Sequence, residues 1–223
     1  MEVIALFLSV LIGLFAVLGL KPKSDHLSYL LTFSGAYLLS ITILHLLPEV
    51  YHNHNVSTIS LLVLLGLVFQ MILDFFSKGI EHGHAHAEDF RTFPYGLFIS
   101  LIIHSFMEGL SVSDHEHHNL LWAIVVHKIP ITMVLVSFLW ASHMSKTISI
   151  IFISVFALMS PMGVMLGDEI PFFVNYHIYI NAVIAGAFLH ISTTILSESS
   201  KNHRFKLIQF LMMVSGIIVA FIF

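Results

Sequence analysis

The sequence predicts an all-α integral membrane protein with eight transmembrane helices and both termini extracytoplasmic, and three observations carry that prediction. Of 223 residues, 57% are hydrophobic and 10% charged, and the mean hydropathy is +0.94. A soluble domain carries about 25% charged residues. Next, apolar segments long enough for a hydrocarbon core of about 30 Å fall at 3–20, 27–47, 59–76, 93–112, 120–141, 148–166, 178–196 and 205–223. Helices are the only reading, because backbone in lipid must satisfy its own hydrogen bonds and no barrel-strand alternation is present. Finally, eight of the nine Lys and Arg residues stand in alternate loops: Lys21, Lys23, Lys78, Arg91, Lys146, Lys201, Arg204 and Lys206. Positive charge stays on the cytoplasmic side, which puts both termini outside.

The elements follow in order. Segment 3–20 lacks a basic start and a small-residue cleavage site, and its basic residues come after it, so it reads as a retained helix. Segment 27–47 ends in HLLPE, where His45 and Glu49 stand four apart before the exit marked by Pro48. That pair is either a mouth site or a solvated interface. Segment 59–76 carries Asp74 near its inner end, where a solvated helix end is the default.

A His-rich cytoplasmic loop at about 77–92 follows, with His82, His84 and His86 in EHGHAHAED. Such tracts signal a metal context without defining a site. The outer loop DHEHH, 114–118, is of the same kind, and the outer loops carry Glu49, Asp114, Glu116, Asp168 and Glu169 with no basic residue. An all-acidic outer face concentrates cations.

Segment 93–112 contains HSFMEG. His104 and Glu108 stand four apart and share a helical face, with Ser105 beside them. His104 lies eight residues from the outer end of its segment, a depth of roughly 12 Å. Segment 120–141 runs back inward and brings His127 and Lys128, in IVVHKIP, to nearly the same depth. Imidazole and carboxylate together suit zinc and its first-row neighbours. Charge at bilayer depth is costly, so Glu108 needs a cation, either a metal or Lys128, the ninth basic residue. Pro130 frees the carbonyl of Val126. Either it supplies an oxygen to the site or the break is a packing kink. Segment 178–196 adds His190 in AGAFLHISTTILSE, with Thr194 and Glu198 at four-residue steps toward the inside. Potential ligands at every depth suit a path better than one structural site. With no cysteine in the chain, thiolate ligands and disulfides are excluded.

HLLPE, HSFMEG, HKIP and AGAFLH resemble the Zrt/Irt-like (ZIP) metal-transporter family, and the resemblance spans all of 1–223 as a single transmembrane domain. It implies uptake of a divalent metal ion into the cytoplasm across a plasma or bacterial inner membrane. Zinc is the implied substrate, with iron, manganese or cadmium as alternatives. Transport is carried to His104, Ser105, Glu108 and His127, with His45 and Glu49 on the way in and His190 on the way onward. A multi-pass homodimer surrounded by membrane lipid is implied, and nucleic acid is not a partner. This chain departs from the family at Met107, where many members have proline, and at Lys128, Ile131 and Thr132, where many have the acids that hold a second ion. The ammonium of Lys128 then takes the place and charge of that ion as a tethered cation. Two competing readings are a membrane metalloenzyme, for which no HExxH stands on a buried helix, and a metal exporter.

Overall fold

In a computed structural model, residues 1–77, 95–113, 118–142, 144–199 and 207–222 are described, and they are helical with no strand among them. The elements are α1 Glu2–Leu20, α2 Ser24–Ile41, a π-helical turn Thr42–Leu46, α3 Leu47–Tyr51, α4 Val56–Ser77, α5 Tyr95–Leu110, α6 His118–Ala141, α7 Lys146–Glu169, α8 Pro171–Asn175, α9 His177–Ser199 and α10 Leu207–Ile222. Six helical spans are long and apolar enough to cross a membrane, and α5 and α10 are shorter apolar helices. Residues 78–94 and 200–206, which adjoin those two, lie outside the described set. The expected segments 93–112 and 205–223 are therefore only partly seen.

Helix ends follow local chemistry. The first helix stops where Lys21 turns left-handed, with its N–H on the carbonyl of Val17, and Pro22 cannot continue the helix. Asn55 starts α4 by accepting the Thr58 N–H at 3.0 Å, and Ser145 starts α7 through Ile148. Pro48 explains the π-helical turn. It has no N–H, and its ring clashes with a carbonyl one turn back. The Leu47 N–H reaches back five residues to Thr42, and the span from Ser24 to Tyr51 continues with one extra residue wound in.

The most extensive pairings are α4 with α9, α5 with α7, α2 with α10 and α1 with α6. Of the candidate spans, α6 is the most enclosed. The backbones of α5 and α6 scarcely approach each other.

Glycine sets the α5–α7 contact. A Cβ on Gly109 would stand 2.0 Å from the carbonyl oxygen of Ser160, and one on Gly163 would stand 2.3 Å from that of Phe106. No other residue permits that approach, which small-residue interfaces use where lipid removes the hydrophobic drive. Gly109→Ala should therefore cost about 1–3 kcal/mol of stability, the usual range for overpacking. Thermal unfolding in detergent checks this against Gly19→Ala, where nothing lies within 4 Å of the added carbon.

Candidate metal centre

The space between α5 and α6 holds the polar residues expected there. His104 and Glu108 face inward from α5, one turn apart, with His104 Nε2 3.3 Å from Glu108 Oε1. Across the gap α6 supplies His127, whose ring centroid is 6.3 Å from that of His104 at 81°. One ligand atom from each of His104, Glu108 and His127 lies within 4.8 Å of the other two, and all three residues are buried. Two donors at 2.0–2.1 Å from a tetrahedral zinc ion sit about 3.3 Å apart. The His104–Glu108 edge already has that length. No other such group of His, Cys, Asp or Glu occurs among the described residues.

Lys128 sits beside this trio and does not snorkel. It is fully buried, and its Nζ donates to Glu108 Oε2 and to Ser105 Oγ at 3.0 Å. Nζ also lies 4.7 Å from the centroid of the Phe156 ring. A buried ion pair offers little net stability, but removing one partner leaves the other charge uncompensated. The pair fixes the carboxylate in place. Further along α6 the helix continues through Pro130, and the Thr132 hydroxyl donates to the Lys128 carbonyl at 2.7 Å.

Ser105 turns toward α7. Its Oγ lies 3.0 Å from the carbonyl oxygen of Phe156 and 3.0 Å from Ser160 Oγ. Ser160 in turn donates to the Ser105 carbonyl at 2.6 Å. Phe156 and Ser160 were not foreseen from sequence. The available signal was a serine beside Pro161 in the middle of an apolar segment, and its meaning depends on α7 lying against α5.

The outlying candidates are placed as follows. His45 lies in the π-helical turn and is exposed, while Glu49 is half-buried. The extra residue of the turn interrupts the stacking that a spacing of four gives, and among the described residues no third His or acid completes a cluster with them. His190 on α9 is half-buried, with Nε2 3.4 Å from Asp74 Oδ2 on α4. Asp74 is thus paired across two helices, where the sequence suggested a solvated end. Glycines permit that pairing too, since a Cβ on Gly66 would meet the Val183 carbonyl and one on Gly186 that of Val63. His82, His84 and His86, and 114–117 of the outer loop, lie outside the described residues. His118 opens α6 and is exposed.

Comparison with known proteins places the chain among metal transporters. A model of the ZIP zinc transporter family matches residues 78–223. Zinc transporter ZIP1 of Danio rerio is 36% identical over 88 residues, which are 38% of this chain and 28% of that protein. The match thus spans little more than a quarter of the length of that curated relative.

Proposed function

Because the chain belongs to the ZIP zinc transporter family, we propose that it carries zinc across a membrane into the cytoplasm through the centre formed by His104, Glu108 and His127. The observation that carries this reading is the convergence of two imidazoles and a carboxylate, all buried, in the gap between α5 and α6. Two neutral nitrogens and one oxygen replace part of the ion's hydration shell and leave a coordination position open for exchange. A structural site would be closed, whereas a transport site must bind and let go.

Lys128 supports release. Without zinc, its ammonium balances Glu108. With zinc bound, a tethered positive charge stands close to the ion in a low-dielectric setting and repels it. Ser105 acts here as the hydroxyl that holds the ammonium. His45 and Glu49 serve the way in, and His190 with Asp74 offers an imidazole and a carboxylate toward the cytoplasmic end. Eight membrane crossings, extracytoplasmic termini and a homodimer belong to the same proposal.

Radiozinc uptake into proteoliposomes, measured beside iron and manganese, tests the function. Inward zinc flux supports it. An enzyme gives no flux, and an exporter gives flux coupled to an opposed proton gradient. Deleting residues 81–88 should leave the uptake rate within about a factor of two of wild type, because a tract without periodicity captures metal without defining a site. Complete loss of uptake in a stably expressed deletion would place those histidines on the path.

A further inference from the structure

The two oxygens of Glu108 have different surroundings. Oε1 faces His104 Nε2 at 3.3 Å. Oε2 accepts from Lys128 and has Ser160 Oγ at 3.5 Å. An ammonium has three donors and no acceptor. Those of Lys128 have three partners to serve: the carboxylate, Ser105 Oγ and the face of the Phe156 ring. Ser105 is held in turn by the Phe156 carbonyl, and its own carbonyl accepts from Ser160. The cation is thus fixed from α5 and α7, and it holds one carboxylate oxygen out of the space that His104 and His127 border.

We propose that Lys128, positioned by Ser105 and Phe156, makes Glu108 a one-oxygen ligand and thereby sets ion selectivity, favouring zinc over manganese. The inference rests on the transport-centre reading of His104, Glu108 and His127. A carboxylate with one oxygen engaged cannot swing to chelate an ion with both. The donor set is then two nitrogens and one oxygen with one open position, which suits four-coordinate zinc. Manganese takes an octahedral, oxygen-rich shell, and selectivity among first-row metals follows geometry and ligand type more than affinity alone. Releasing Oε2 adds an oxygen donor, and removing the ammonium opens room for water. Both changes help manganese.

The test compares the dissociation constants of zinc and manganese, each as the metal alone, for full-length purified protein in detergent. Variants are Lys128→Met, Ser105→Ala and Phe156→Leu. The ratio is the readout, because a fold defect that lowers the active fraction affects both metals equally. The preference for zinc should fall roughly tenfold in Lys128→Met, the lower end of what losing a metal ligand's hydrogen-bond partner does to metal affinity. It should fall by a smaller factor in the other two. Phe156→Leu touches no metal donor and decides the matter if Lys128→Met does not fold. An unchanged ratio in variants that still bind zinc, or an equal loss of both metals, overturns the proposal. Zinc flux is measured separately in proteoliposomes. Wild type that binds zinc without carrying it overturns the transport reading while the ratio still decides selectivity, and wild type that binds neither metal overturns both.

Discussion

His104→Ala should reduce zinc uptake by roughly a hundredfold or more, beyond the 10- to 100-fold that outer-shell changes cost, while leaving a folded, membrane-inserted protein. Losing one imidazole leaves a single nitrogen and a single carboxylate oxygen, too few to strip the ion of its water. Glu108→Ala should abolish uptake as fully, with a different effect on stability. The Lys128 ammonium is fully buried against that carboxylate, and breaking a buried pair from one side costs about 3–5 kcal/mol. Of the two variants, only His104→Ala should therefore purify normally. The double variant Glu108→Ala/Lys128→Met should recover stability without recovering uptake. Thermal unfolding and proteoliposome flux on the three proteins separate the two roles of Glu108. Wild-type flux in the double variant would remove that residue from the ligand set.

Lys128→Asp should bind zinc more tightly, or bind a second ion, and turn over more slowly. The substitution removes a repelling charge and adds a carboxylate next to His127, where the ammonium now neutralises Glu108. Without metal the variant holds two acids in one buried space with no cation between them. Its thermal stability should therefore depend on zinc far more than that of the wild type, since a ligand that binds only the folded state stabilises it by mass action. Lys128→Ala tests the other half of the idea, leaving Glu108 short of a positive neighbour only when no zinc is bound. Bound zinc per protomer, affinity and uptake rate decide the matter together. Unchanged values of all three in Lys128→Asp would show that the ammonium does not act as a tethered cation.

The readable part of this site was local. His104 and Glu108 share a face by their spacing, counting residues from the helix ends brings His127 and Lys128 level with them, and the side chains of all four lie close together. Depth arithmetic needs only helix rise and direction. What it could not supply was the position of α7, which depends on the Gly109–Gly163 approach between segments 54 residues apart (163 minus 109). Local spacing therefore does not point to Ser160 or Phe156, and the Ser105 hydroxyl, whose place in the transport site the resemblance implies, reaches Lys128 and α7. Asp74 reads from sequence as a solvated helix end for the same reason, because only the packing of α4 on α9 brings His190 to it. At His45 the difficulty was backbone geometry. The spacing of four assumes a regular helix, and Pro48 forces a π-helical turn at that point.

In the proposed function, His104, Glu108 and His127 hold the ion that the protein carries. X-ray absorption at the zinc edge, on purified protein loaded with one ion per protomer, tests it most directly. Two imidazole nitrogens and at least one carboxylate oxygen are expected at about 2.0–2.2 Å. The imidazole scattering should drop by half in either His104→Ala or His127→Ala. Unchanged imidazole scattering in both variants would place the bound zinc elsewhere and remove His104 and His127 from the site.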